Sequence, residues 1–192
     1  MKHYSYTTQR LILKEWQSYS PQELKNTPLQ EIIQAMLIPE ITADFPIMWR
    51  GKYNIKRTKF WIEERDREGT TLLALEKYTH KPIGFLHFFY VGKPQEHKNL
   101  RLGYIITKEE WNRGYATEIV NGFIQRLKHE SIGALYAGVS PKNSASKKVL
   151  EKCGFKSNKK DTNAEDLLFE LSLYSRITTQ NSKRESHHLH SY

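Results

Sequence analysis

The sequence predicts an α/β fold (α+β in its segregation), in which a central, mixed and mostly antiparallel sheet of six to seven strands is flanked by about four helices. Three observations carry this. At 192 residues, with 38% hydrophobic and 12% aromatic side chains, the chain is long enough to bury one substantial core and short for two. Between residues 70 and 107, three runs rich in leucine, β-branched and aromatic residues follow one another across polar breaks, as in an antiparallel meander. Directly after them, residues 115–129 repeat apolar side chains at helical spacing.

Taken in order, residues 10–16 alternate Leu11 and Leu13 with polar neighbours and read as a first strand with one covered face. Residues 21–39 turn helical through the stripe of Ile32, Ile33, Met36 and Leu37, with Pro39 as the stop. Residues 41–53, with Pro46, Trp49 and Gly51 and no period, read as a loop able to line a pocket. Residues 54–68 form a second helix with Ile55, Phe60 and Trp61 among charges, ended by Gly69. Strands at 70–76 and 83–91 join through the polar turn 79–82, and after a polar loop at 92–98 a third strand covers 100–107. In the helix at 115–129, Ala116, Ile119, Val120, Phe123, Ile124 and Leu127 share one face. A short apolar strand follows at 132–139, then a helix at 144–153 closed by Gly154. Phe155 opens the final strand region, and 167–174 supply the last strand. Residues 175–192 are polar with two aliphatic side chains, so the expectation is a folded domain over 1–174 and a disordered tail over 175–192.

Composition excludes several functions. No stretch approaches the roughly 20 apolar residues of a membrane-spanning helix, so no membrane partner is expected. The polar residues 1–10 lack the apolar centre of an export signal, which points to a cytoplasmic location. Cys153 is the single cysteine, so neither an internal disulfide nor a thiolate-rich metal site is available, and beside Gly154 it reads as a small buried hydrophobe rather than a nucleophile. His187, His188 and His190 in the tail have no acidic or thiol partner at ligand spacing, and no metal is expected. The net charge of +9 favours a polyanionic partner, such as RNA, an acidic protein face or a phosphorylated cofactor, although much of it is scattered lysine that reads as solvated surface.

Two segments carry chemistry. In the first, Trp111, Asn112, Arg113, Gly114, Tyr115, Ala116, Thr117 and Glu118 open the long helix behind a strand. The free backbone N–H groups and dipole of a helix N-terminus bind an anion, Gly114 lets it approach the backbone, and Arg113 adds charge. Neither a Walker loop nor a three-glycine dinucleotide fingerprint is present. In the second, Asn143 is placed to cap the next helix, and Ser146 in its first turn can point its hydroxyl past the helix end.

Gly103 and Tyr104 in a strand, the run 111–118, then Pro141, Asn143, Ser146 and the ending Leu150 to Phe155 together resemble the GNAT superfamily of acetyltransferases. More narrowly they are similar to the branch of ribosomal-protein alanine N-acetyltransferases RimJ and RimL, which also begin on a strand like Arg10 to Leu13. The resemblance covers residues 10–174, so the domain over 1–174 would be a GNAT acetyltransferase domain. It implies an enzyme that moves an acetyl group from acetyl-coenzyme A to a primary amine, a protein N-terminal α-amine or a small amine, by direct attack in a ternary complex, without a metal.

By the same resemblance the sheet is splayed at the cofactor site. The N–H groups of Asn112, Arg113, Gly114, Tyr115, Ala116 and Thr117 cradle the pyrophosphate of coenzyme A. Strand backbone at Ile105 and Ile106 pairs with the pantetheine arm, Asn143 holds the same region, and Ser146 is the catalytic hydroxyl near sulfur. Two positions depart from the family. Arg101 stands where many relatives carry a glutamate, which leaves the base to His87, Glu170 or a water chain, and Leu150 stands where many carry a tyrosine acid, a loss that Ser146 covers as in the RimL-like branch. The competing reading is a binding module that keeps this fold and holds RNA or a ribosomal partner on its basic surface. As to assembly, a monomer or a homodimer is expected.

Overall fold

A computed structural model describes residues 4–43, 45–92, 98–163 and 166–173. Its strands are β1 (Tyr6–Thr7), β2 (Leu11–Glu15), β3 (Thr70–Glu76), β4 (Pro82–Val91), β5 (Lys98–Ile106), β6 (Ile132–Val139), β7 (Lys156–Asn163) and β8 (Asp166–Ser172). They make one sheet in the order β1-β2-β3-β4-β5-β6-β8-β7. Every neighbouring pair is antiparallel except β5 with β6. The helices are α1 (Leu29–Met36), α2 (Pro39–Thr42), α3 (Ile55–Glu68), α4 (Tyr115–Arg126) and α5 (Ser144–Lys152).

Period decides which face each element covers. On β5, Leu100, Leu102 and Ile106 enter one core with Tyr115, Ile119, Val120 and Phe123 of α4 and Leu150 of α5. Ile105 of the same strand enters a second core, with Ile33 and Met36 of α1, Trp61 of α3 and Phe85 of β4. The sheet is thus the middle layer, with α4 and α5 on one face and α1 and α3 on the other.

The expected meander and the long helix are present, and the count of strands rises to eight because β1 and the polar β7 join the sheet. The predicted helix over 21–39 is divided. Lys25 and Asn26 adopt positive φ, Pro28 caps α1, and Pro39 occupies the first turn of α2 rather than ending a helix. Proline fits a first turn, where its missing N–H has no partner to lose. The tail over 175–192 and its histidines lie outside the described residues.

Two features prepare the site. Strands β5 and β6 pair at Leu100 with Leu135 and at Arg101 with Tyr136, where the pairing ends. Yet β5 continues to Ile106 and β6 to Val139, so the strands part and leave a gap between them. Beneath the sheet on the α3 side, buried His87 is held by both nitrogens: Nδ1 lies 2.9 Å from the Thr71 hydroxyl and Nε2 3.3 Å from Glu68. A neutral ring protonated on Nε2 satisfies both contacts. Glu68 also pairs with Arg65 at 2.9 Å, and the Arg65 guanidinium stacks 3.8 Å from the Trp49 ring.

Burial, reinforced by the Arg65 charge, lowers the His87 pKa to about 4, against the opposing pull of Glu68. Above pH 6.5 the imidazole is neutral in both folded and unfolded chains, and its contribution to stability is complete. As pH falls from 6.5 towards 4 the unfolded chain takes up a proton that the folded one refuses, and stability is lost. Urea denaturation should show His87→Gln losing roughly 2–3 kcal/mol less than the unmodified chain between pH 7 and 4.5. Parallel pH profiles for the two proteins would exclude His87 as the titrating group.

Candidate active site

The turn leading into α4 is built for backbone exposure. Asn112 and Gly114 adopt φ of 60° and 79°, and Gly114 occupies the left-handed N-cap position without a capping side chain. The first bond of the helix runs from the Glu118 N–H to the Gly114 carbonyl at 3.1 Å. The N–H groups of Tyr115, Ala116 and Thr117 have no acceptor among the described residues, so the helix offers an anion site with the positive end of its dipole behind it.

Glu118 ties this end to the N-terminal strands. It accepts from the Thr8 hydroxyl at 2.5 Å, the Arg10 N–H at 2.8 Å and Arg10 Nε at 2.7 Å. Burial pushes its carboxyl up, but these donors outweigh burial and hold it below the usual carboxylate range. Arg10 lies 4.0 Å over the Tyr115 ring and donates to the Arg113 carbonyl at 3.1 Å. The Arg113 side chain pairs with Glu110 at 2.5 Å, and buried Glu110 also holds Lys81 at 2.6 Å. Arg10 is therefore a second cation at the helix entrance.

The phase of β5 decides which backbone groups face the gap. Thr107 N–H donates to the Ile83 carbonyl at 2.9 Å, and a Cβ at Gly84 would meet the Ile105 carbonyl oxygen at 2.1 Å. Ile105 thus turns its peptide groups to β4, and by alternation Tyr104 and Ile106 turn theirs towards β6. Of the two strand residues expected at the pantetheine arm, Ile106 alone presents backbone to the gap, and Tyr104 is its companion. The Ile106 carbonyl already accepts from Trp111 Nε1 at 2.9 Å, which leaves its N–H as the group on offer.

At the start of α5, Asn143 Oδ1 accepts from the Ser146 N–H at 2.9 Å, so Asn143 is a helix cap. Tyr104 reaches across from β5, its hydroxyl 3.4 Å from the Ser146 carbonyl. Burial raises the Tyr104 pKa to about 12, against the lowering effect of a hydrogen bond with the Ser146 side chain. Tyr104 remains a protonated donor at neutral pH, and its hydroxyl meets the first turn of α5 beside the gap. Leu150 is fully buried in the core. The Cys153 thiol, pushed up to about 11 by burial, contacts the Thr117 carbonyl at 3.8 Å and joins α5 to α4. Glu170 lies on β8 opposite Tyr136. Among the described residues no three metal-ligating side chains are grouped to hold an ion, and no helix is long and apolar enough to cross a membrane.

Residues 10–156 match the family model described as an acetyltransferase (GNAT) domain. No curated protein matches the chain. Among solved structures, an acetyltransferase of the GNAT family from Bacillus anthracis has 14% identity and a TM-score of 0.69, over 88% of this chain and 99% of that one. An acetyltransferase from Agrobacterium tumefaciens has 21% identity and a TM-score of 0.58, over 87% and 93%. A Vibrio cholerae protein, provisionally described as a ribosomal-protein-serine acetyltransferase, has 17% identity and a TM-score of 0.63, over 88% and 97%. At these identities the likeness concerns the fold.

Gly114 and Gly103 should respond oppositely to a side chain. At Gly114 a Cβ finds only ordinary contact, 3.7 Å from Arg10, but φ of 79° penalises any L residue. Gly114→Val should therefore cost about 1–3 kcal/mol in urea denaturation. At Gly103 a Cβ would meet nothing within 4 Å, and Gly103→Ala should change stability by no more than about 0.5 kcal/mol. Equal costs at the two sites would refute the assignment of strain to Gly114.

Proposed function

The chain belongs to the acetyltransferase (GNAT) family, and from that premise we propose that it transfers an acetyl group from acetyl-coenzyme A to a primary amine, on a protein N-terminus or a small molecule. One observation supports this most: the parting of β5 from β6 beyond Arg101 and Tyr136, beside a helix whose first N–H groups are unbonded. A phosphate-bearing ligand with an extended, amide-containing arm matches both. Its pyrophosphate would lie against the N–H groups of residues 112–117, with Arg113 and Arg10 as cations, and its arm would run along Tyr104 and Ile106 towards Asn143.

Bound acetyl-coenzyme A supplies a thioester carbonyl and a thiolate leaving group. The acceptor nitrogen, as a free amine, attacks the carbonyl carbon in a ternary complex. A C–N bond forms, the C–S bond breaks with its electron pair on sulfur, and the nitrogen releases a proton to water. Backbone N–H groups of Ile106 and Tyr104 stabilise charge on the carbonyl oxygen. Ser146, with Tyr104 behind it, donates to the sulfur as charge develops there. His87 has both nitrogens engaged, so a water chain is the better route for the amine proton.

We assign the chain to the RimJ/RimL-like branch, to the cytoplasm and to a domain ending near residue 174. The strand like that of RimJ and RimL at Arg10 to Leu13 supports the branch, and no further observation favours ribosomal contact or a module that only binds RNA.

Calorimetry should detect acetyl-coenzyme A binding, and the melting temperature should rise with its concentration. Ser146→Ala and Tyr104→Phe should each lower kcat by roughly tenfold to a hundredfold while leaving cofactor affinity nearly intact, because the interaction matures only as the thiolate forms. No binding at millimolar cofactor would end the acetyltransferase reading. Unchanged kcat in Ser146→Ala would return the proton on sulfur to solvent.

A further inference from the structure

The two faces of the sheet beside the gap between β5 and β6 differ. On the α4 side it is lined by Tyr104, Leu102 and Ile106, packed into the larger core. On the α3 side two glycines flank it: Gly103 on β5 and Gly138 on β6 are both exposed. A Cβ at Gly103 would meet nothing within 4 Å, so this is an open floor reaching the place where the strands part. With the acetyl donor held from the α4 side, the floor is the approach left to the amine.

Its charge is specific. Arg101 is the last β5 residue paired with β6, and alternation with Leu100 and Leu102 puts its side chain on the floor side. It is exposed, and among the described residues no carboxylate lies within ion-pair distance of it. Tyr136 separates it from Glu170, the carboxylate in the same row. Two strand spacings, about 10 Å, lie between the Arg101 and Glu170 backbones. Glu170 has Lys156 opposite it on β7, which leaves Arg101 as the charge of this row without a counter-charge among the described residues. From Arg101 to Gly103 is two residues along β5, about 7 Å, which a guanidinium and a short amine span together.

We propose that the acceptor is an α-amine carrying a carboxylate close by, either a free α-amino acid or a peptide N-terminus with an acidic residue next to it, and that Arg101 binds the carboxylate. This rests on the acetyl-transfer reading above. A polyamine or aminoglycoside is disfavoured, since a second cation would approach both Arg101 and a chain of net charge +9. A guanidinium fixes a carboxylate through two parallel N–H donors, which orients the neighbouring nitrogen as well as attracting the molecule.

The test uses the full chain, Arg101→Gln and Arg101→Glu. Calorimetry first measures acetyl-coenzyme A binding, which should match in all three because Arg101 faces away from the cofactor side. Acetyl transfer is then followed with α-amino acids, their carboxamides, peptides beginning Ala-Asp or Ala-Lys, and spermidine, with rates compared per unit of free amine. The unmodified chain should favour amino acids over their carboxamides, or Ala-Asp over Ala-Lys peptides, by about tenfold or more in kcat/KM. Which of the two contrasts appears identifies the source of the carboxylate. Arg101→Gln should erase the preference and Arg101→Glu should invert it. If cofactor binds but spermidine or the carboxamides are preferred, or Arg101→Glu keeps the original preference, the inference about the acceptor is wrong while acetyl transfer stands. If cofactor does not bind, both fall together.

Discussion

The structure turns on one refusal of two parallel strands to stay together. Up to Arg101 and Tyr136 the β5 and β6 backbones satisfy each other, and past that pair they do not. Peptide groups in a sheet interior are costly to leave unpaired, so a protein that opens its sheet must have another use for them. Much else follows from that opening. Helix α4 starts just beyond the end of β5 and points its N-terminus at the same region, and α5 brings Ser146 to the far side from the end of β6. Tyr104 stands on the strand edge that lost its partner.

The electrostatics around the opening are arranged in two tiers. Buried Glu110 holds Lys81 and Arg113, with the Lys81 hydrogen bond chiefly keeping its carboxyl below the usual range. Glu118 holds Arg10. These carboxylates hold Arg10 and Arg113 beside the N-terminus of α4. Arg101, across the sheet, has no such companion among the described residues.

Much of this was legible in the sequence because it is local. The α4 stripe, the meander of β3, β4 and β5, the Gly114 turn and the Asn143 cap each declare themselves within a few residues. What was missed depends on partners far away. Tyr6 and Thr7 make a strand too short to carry a period, and β7, foreseen only as a strand region opened by Phe155, has almost no apolar residues to mark its extent at the sheet's edge. The helix over 21–39 was read through a proline that starts a turn as readily as it ends one. Whether Ile105 or Tyr104 faces the gap is a question of strand phase, which only the register with β4 answers. Ser146 was visible as a first-turn serine, whereas its neighbour Tyr104 comes from 42 positions earlier.

The anchoring of β1 on α4 has a consequence for how the chain comes to be folded at all. Tyr6 donates to the Ile119 carbonyl at 2.7 Å, Thr8 reaches Glu118, and Gly122 is bare enough that a Cβ there would lie 2.5 Å from the Tyr6 ring. Thr8 and Glu118 are 110 residues apart. On a ribosome adding about 5–20 residues each second, the first strand is made roughly five to twenty seconds before the helix it docks against exists. Through that interval the Tyr6 side chain lacks its partners on α4. The first strand of the sheet to be synthesised thus docks on its helix only after more than half of the chain has been made.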